Sequence, residues 1–515
     1  MPNPSAALMA AIDIGASAIR MDVAEVREDG GIRILDSLKK GVQLGKDAFT
    51  TGTLSEESIR SACAALQDFK RVMDTYGVLR YRAVATSAVR ESSNSDRFLD
   101  RILMSTGLDV EIIDGPEENR LTLSAVLEAL RGGPALEGKS LLVEVGGGSA
   151  DLTLLAGQEP VQSGTFPLGS IRLRAKVRPD VGTHDKWVRY LARQISNIVS
   201  TVKGSIALAE ADHFVALGGD VRFAGRILSG PAGAACRSIA RAAFESFVES
   251  VCKLSPEALV RKYGLSYPDA ETLVPALMVY VQLLRQTAAQ EVIVTEASIR
   301  AGILQDLAPA EESARRSKLT QQILSAARSL GRKYQYDEEH AERVRALAEL
   351  IFDQLQAEQR FDENHRLYLQ VASLLHDIGL FVGSRAHHKH SYYLISQSDI
   401  FGLRPREREI IANVARYHRR ALPQRTHLPF VSLERDERTL VSKLAAILRV
   451  ANALDREHLQ KIRDLRVARE GDQIVLTVPG AADLTMERLA LATRSDLFRE
   501  VFGKRIILRE APQSV

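Results

Sequence analysis

Residues 139–152 read Lys-Ser-Leu-Leu-Val-Glu-Val-Gly-Gly-Gly-Ser-Ala-Asp-Leu. Leu141, Leu142, Val143 and Val145 form an apolar run of strand length. Gly146, Gly147 and Gly148 then let the backbone turn sharply and come close to a ligand. Ser149 and Asp151 follow, and Leu152 to Leu155 open a second strand. Successive amide N–H groups in such a turn make a concave nest for an anion, usually phosphate. A carboxylate beside the nest suits a hard cation such as Mg²⁺. A glycine-rich hairpin with no ligand is the plainer alternative, and a second copy of the arrangement weighs against it.

That copy lies near the start of the chain. Residues 9–26, MAAIDIGASAIRMDVAEV, again read as strand, tight turn and strand, with Asp13 and Gly15 at the turn and Ala16, Ser17 and Ala18 at its tip. Two such hairpins predict a duplicated α/β unit, a mixed sheet with helices in each half, and a ligand in the cleft between the halves. Between them, Ser55 caps a helix running to Gly77, Tyr81 to Ala85 is a strand, and Thr86 to Arg90 is a polar turn. Asn94 or Ser95 caps the next helix, and Val110 to Ile113 is a strand. Pro116 fits the first position of the helix that follows, and the helix dipole by itself accounts for Glu117 and Glu118 in its first turn. Further on, a long helix starts near His184, and the strand Phe214 to Leu217 runs into Gly218-Gly219-Asp220, a third candidate ligand loop.

With 515 residues the chain is long enough for several domains, and its 45% hydrophobic and 26% charged content is that of a soluble globular protein. A net charge of +3 gives no strong global pull toward nucleic acid or membrane, so neither is expected as a partner. Cys63, Cys236 and Cys252 have no metal-type spacing and suit a reducing compartment. The opening MPNPSAALMAAIDIG lacks a basic leader region, and no apolar segment is of membrane length, so a cytoplasmic location is expected.

Taken in order, IDIGASAIRM, VATSAVRES, GPEENRL, VEVGGGSADL, LGGD and ASIRAGIL resemble the exopolyphosphatase and guanosine-pentaphosphate phosphohydrolase (Ppx/GppA) family over nearly the whole chain. The resemblance implies a duplicated actin- and hexokinase-like (ribonuclease H-like) α/β fold followed by an α-helical HD-type domain. It implies that the turns bearing Asp13, Gly15 and Ser17, and Gly146, Gly147, Gly148 and Ser149, cradle phosphates, with Gly218 and Gly219 as the third loop. Arg90 would contact the reacting phosphoryl group, Glu118 would be the general base for water, and Glu144 and Asp151 would hold Mg²⁺. A homodimer is implied as well. Two loops depart from the family pattern. Gly15-Ala16-Ser17-Ala18 stands where Gly-Ser-Asn-Ser is usual, while Glu144 replaces an Asp and Ala150-Asp151 a Thr-Glu.

The polar stretch 305–318 marks a boundary, and the chain is mostly helical from Leu319. His340, His376 with Asp377, His418 and Asp455 each lie on, or at the end of, an otherwise apolar helical face. Burying several unpaired polar groups is costly, and convergence on a metal would satisfy them together. The set His340, His376, Asp377 and Asp455 resembles the metal pattern of HD-domain phosphohydrolases, with His390 and His418 where some of them bind a second metal. The ion would be Mn²⁺, Fe²⁺ or Mg²⁺. A basic cluster of Arg385, His387, His388, Lys389, His390, Arg416, Arg419, Arg420 and Arg425 suits either a polyanion or a solvated surface. Alternating residues after Ile462 predict a small α+β end piece. The expected domains are therefore 1–125, 126–306, 315–460 and 461–515.

The expected activity is Mg²⁺-dependent release of terminal phosphate from inorganic polyphosphate. Hydrolysis of guanosine pentaphosphate in the same site is the nearest rival. A non-catalytic polyphosphate or nucleotide sensor is the rival from another class, and an ATP-dependent kinase of the same fold comes third.

Overall fold

The computed structural model describes residues 8–27, 31–177, 183–230, 236–308, 312–419, 421–462, 464–480 and 483–511. The first seven residues, Pro309 in the boundary stretch and Arg420 of the basic cluster lie outside the described residues. The chain forms two compact units, Met1–Ser317 and Lys318–Val515.

The first unit holds two sheets. One contains β1 (Leu8–Ile14), β2 (Ala18–Val26), β3 (Ile32–Gly41), β4 (Arg80–Ala85) and β5 (Val110–Ile112), in the order β3-β2-β1-β4-β5. The other contains β6 (Lys139–Val145), β7 (Ala150–Ala156), β8 (Glu159–Phe166), β9 (His213–Leu217), β10 (Cys236–Ala240) and β11 (Glu291–Thr295), in the order β10-β11-β9-β6-β7-β8. Each sheet begins with an antiparallel hairpin, β1 with β2 and β6 with β7. Each extends on one side by an antiparallel third strand and on the other by two parallel strands, beyond which the second sheet adds β10, antiparallel to β11. Parallel neighbours need long crossovers, which is where the helices lie. Both hairpins are buried along most of their length because helices cover the sheets.

Local signals set the helix ends. Ser55 accepts from the Ser58 amide at 3.2 Å, as a capping serine should. Asn94 precedes the helix Ser95–Thr106 without capping it; its side chain instead bonds the Leu54 amide and carbonyl, each at 2.9 Å. The helix carrying the paired glutamates, Gly115–Ala129, starts one residue earlier than expected. Asp114 caps it, accepting from the Glu117 amide at 3.0 Å, and Pro116 takes the second position.

In the second unit the helices Glu338–Gln359, Glu363–Leu375, Pro405–Arg416 and Arg435–Ala453 pack on one another. The alternating segments near its end are strands β12 (Arg466–Glu470), β13 (Gln473–Pro479) and β14 (Arg505–Ala511), paired in that order. The helices Thr485–Arg494 and Asp496–Phe502 lie between the last two strands in sequence. Among the described residues, no helix is long and apolar enough to cross a membrane.

Candidate functional site

The two hairpin tips in the first unit close in the same way. The Gly15 amide donates to the Ala18 carbonyl at 3.1 Å, and the Gly146 amide donates to the Ser149 carbonyl at 2.9 Å. Position for position, Asp13 on β1 corresponds to Glu144 on β6, and Arg20 on β2 to Asp151 on β7, because both pairs face each other two residues from the turn. In the first hairpin these positions carry opposite charges, with Arg20 Nη1 3.9 Å from Asp13 Oδ2. In the second they carry two carboxylates. Like charges directly opposite on a ladder repel, so this pair calls for a cation.

Both tips line one cavity of about 420 Å³. It brings together Asp13, Gly15, Ser17, Glu118, Glu144, Gly146, Gly147, Ser149, Asp151, Gly218 and Gly219. Gly148 and Arg90 are not on its wall. The Gly148 carbonyl accepts from Arg172 Nε at 2.5 Å; Arg172 also bonds both Glu91 oxygens at 2.6 Å and stacks 4.4 Å over the Phe49 ring. Arg90 Nη1 donates to the Ile113 carbonyl at 2.6 Å and lies 3.6 Å from Glu118 Oε2. Among the described residues, Arg90, expected from sequence to contact the reacting phosphoryl group, has these two partners.

The adjacent glutamates diverge. Glu117 accepts from Arg82 at 2.9 Å and from Arg120 Nε at 2.7 Å, and Arg120 also bonds Asp306. Those cations hold its carboxyl below the usual range although burial opposes them. Glu118 faces the cavity, and its buried Oε2 has no hydrogen-bond partner. Burial first, and then the negative charge of Asp151, raise its carboxyl well above the ordinary value despite Arg90. Burial likewise raises Asp13 against Arg20 and Arg300, and Glu144 against Arg222 and Thr122. Thr122 donates to Glu144 Oε2 at 3.1 Å, and Thr165 donates to Asp151 Oδ1 at 2.6 Å. Asp13, Glu118, Glu144 and Asp151 are among the carboxylates around this cavity, and with one orphaned oxygen between them they fit a hard divalent cation.

Sequence reasoning missed the cations of this wall. Arg20, Lys39, Arg222, Arg226 and Arg300 all line it. They come from two strands, two helices and widely separated stretches, so no spacing joins them. Arg20 alone was within reach, as the residue opposite Asp13 in a short hairpin. Behind the third loop, the Tyr280 hydroxyl accepts from the Val145 amide at 3.1 Å and donates to the Leu217 carbonyl. It thereby ties the ends of β6 and β9 side by side. Gly218 sits at φ +112, a conformation that side chains rarely adopt, and a Cβ there would meet this hydroxyl at 3.0 Å.

In the second unit four histidines converge on Asp377. The Nδ1 atom of each is already engaged. His340 pairs with Asp455 Oδ2 at 2.8 Å, His376 with the Ser373 carbonyl at 2.8 Å, His387 with the Ser384 carbonyl at 3.1 Å, and His418 with the Ala415 carbonyl at 2.7 Å. Such bonds fix the tautomer and leave Nε2 as the free lone pair, the arrangement found around metal-ligating histidines. The Nε2 atoms of His387 and His418 are 3.2 Å apart and lie 3.2 and 3.1 Å from Asp377 Oδ1. His376 Nε2 is 3.5 Å from Asp377 Oδ2, and the buried Nε2 atoms of His340 and His376 have no hydrogen-bond partner. Among the described residues two groups have ligand spacing, His340 with His376 and Asp377, and Asp377 with His387 and His418. Two expected assignments change. His390 belongs to neither group; His387, one turn earlier, takes its place. Asp455 stands behind His340, as its hydrogen-bond partner. Periodicity could not choose among the histidines of HHKH.

A model of the Ppx/GppA phosphatase family matches residues 23–311, and a model of Ppx/GppA phosphatase domain III matches residues 324–499. An exopolyphosphatase from Cytophaga hutchinsonii is 21% identical over 58% of this chain and 97% of its own, with a TM-score of 0.55. The Ppx/GppA family member from Aquifex aeolicus is 22% identical over 59% of this chain and 97% of its own, with a TM-score of 0.50. An exopolyphosphatase-like protein is 20% identical over 61% and 99%, with a TM-score of 0.53. At these identities the solved structures share a fold with this chain.

Proposed function

The chain belongs to the Ppx/GppA phosphatase family, and from that premise we propose that it is an exopolyphosphatase working in the cavity between the two hairpin tips. One observation carries this: both tips, Glu118 and the Glu144–Asp151 pair line the same cavity. The shared strand pattern of the two sheets supports a duplicated actin-like fold. In the proposed reaction, water attacks the terminal phosphorus and the bridging P–O bond breaks. The water proton passes to Glu118, and the shortened chain leaves with the bridging oxygen. A carboxylate with a raised pKa is suited to accept that proton near neutral pH. Arg90, 3.6 Å from Glu118 Oε2, would contact the reacting phosphoryl group. Tip amides and the lining arginines oppose charge on the phosphoryl oxygens. Glu144 and Asp151 would hold a Mg²⁺ ion, which supplies further positive charge to those oxygens.

Phe223, Leu265 and Leu273 give the cavity an apolar patch. That patch suits a nucleobase and makes guanosine pentaphosphate the second substrate candidate. In the other unit the four histidines and Asp377 support a divalent metal in an HD-type domain.

The test is phosphate release from long-chain polyphosphate, guanosine pentaphosphate and ATP, with and without Mg²⁺, by the parent and by Glu118→Gln. Polyphosphate cleavage should fall at least ~100-fold in the variant, the low end for loss of a general base. Equal rates would remove Glu118 from its role. No release from any substrate would favour a sensor.

A further inference from the structure

The cavity between the hairpin tips has a rim. Lys39 on β3 and Asp269 in the first turn of the helix Tyr267–Leu284 both line it, one from each half of the first unit. Lys39 Nζ lies 3.3 Å from Asp269 Oδ1 and 3.4 Å from Oδ2, so the pair spans from one half to the other. Its side chains are 50% and 46% exposed, whereas Asp13, Ser149 and Asp151 in the same cavity are buried.

Of the cations on this wall that have a partner, three are fixed. Arg222 Nε donates to the Thr295 carbonyl at 3.0 Å, and its Nη2 to the Ala297 carbonyl. Arg300 Nε donates to the buried Asp22 at 2.7 Å, and Asp22 also accepts from the Ser37 hydroxyl. Arg20 faces the buried Asp13 across its hairpin. Lys39 is different. Among the described residues its carboxylate partner is the half-exposed Asp269, and water screens such pairs. A compact ammonium on a flexible stem changes partners readily. Asp269 tolerates the loss. Ser266 Oγ donates to its Oδ2 at 2.7 Å, and the positive end of the helix favours a carboxylate in the first turn. A phosphate chain attracts Lys39 and repels Asp269, so it pulls the pair apart.

We propose that Lys39 and Asp269 form a latch at the mouth of this cavity, in which Asp269 competes with the substrate for Lys39, and the released Lys39 binds a phosphate behind the one being cleaved. The proposal rests on the exopolyphosphatase reading for the identity of the substrate. It makes the pair a determinant of chain length. The terminal phosphate lies at the buried floor, so only a substrate that extends back to the rim meets Lys39.

The full-length protein is titrated calorimetrically, in chelator, with long-chain polyphosphate and with inorganic pyrophosphate. Parent, Asp269→Asn, Lys39→Gln and the double variant are compared, and phosphate release by the parent in Mg²⁺ is measured alongside. Asp269→Asn should tighten binding of the long chain about two- to fivefold, the range of an exposed ion pair. Lys39→Gln should weaken it about tenfold, as for loss of a charge-assisted hydrogen bond, and leave pyrophosphate near the parental affinity. The double variant should bind no tighter than Lys39→Gln. An equal gain from Asp269→Asn with and without Lys39 would be a general charge effect and overturns the latch. Unchanged long-chain affinity in Lys39→Gln overturns it too. A parent that binds polyphosphate but releases no phosphate overturns the hydrolase reading, and the same affinities then uphold or overturn the latch. A parent that binds neither anion overturns both.

Discussion

Ala16 and Gly147, one from each hairpin tip, meet: a Cβ built on Gly147 would lie 2.8 Å from the Ala16 Cβ. That is inside normal van der Waals contact, and Ile171 Cδ1, at 2.9 Å, closes the other side. Gly147→Ala should therefore push the tips apart, at an overpacking cost of ~1–3 kcal/mol. We expect kcat/KM for phosphate release to fall at least ~10-fold, with partial recovery in Ala16→Gly/Gly147→Ala, since 1.4 kcal/mol is a factor of ten. A single variant as active as the parent would mean that the contact does not set the cavity.

Asp220 lines the cavity at the third loop, and burial together with Asp269 pushes its carboxyl up to about 7 against Arg20 and Lys39. The unfolded chain loses that proton near the ordinary value of 3.8. Between these values the folded state holds a proton that the unfolded state has released, so this group makes stability fall as pH rises from about 4 to about 7, then level off. Asp220→Asn should flatten that fall in the urea midpoint measured at several pH values. An equally steep decline in the variant would place its cause elsewhere.

Tyr280 is fully buried, with its hydroxyl shared between the Val145 amide and the Leu217 carbonyl. Tyr280→Phe leaves both backbone groups without that partner. Unfolding free energy should drop by ~1–3 kcal/mol, the cost of buried groups left unsatisfied. KM should rise, because the second and third loops lose their common tie. Denaturant melts and steady-state kinetics check the two effects separately, and an unchanged melt would show that water replaces the hydroxyl.

His387 and His390 share a helix, and among the described residues only His387 has ligand spacing with Asp377 and His418. His387→Ala should lower bound divalent metal in protein purified without added metal, and His390→Ala should leave it near the parental level, as read by elemental analysis. The opposite ranking would return the ligand role to His390. Parent protein that is empty and fails to load on titration would reject the centre altogether.

Much of the frame was legible from local pattern. The hairpins at Asp13–Ala18 and Glu144–Asp151, the Ser55 cap and the late strands follow from alternation, glycine and capping chemistry, which act within a few residues. Asn94 misled because a capping-type side chain can serve a distant backbone equally well, here Leu54. The histidine-bearing helices showed their apolar faces, but HHKH could not show which imidazole comes within ligand spacing of Asp377.

The amino-acid sequence by itself determined the two turns, their acidic flanks, the helices carrying Glu118 and His340 and the helix that ends at His376, because backbone turning and burial periodicity are short-range properties. Tertiary structure alone decided that Gly147 touches Ala16, that Glu117 is taken by Arg82 and Arg120 while Glu118 is left facing the cavity, and that His387 joins Asp377. Charge and shape pair through space, between residues that the chain keeps far apart, and a periodic pattern says which side of an element is covered but not by what.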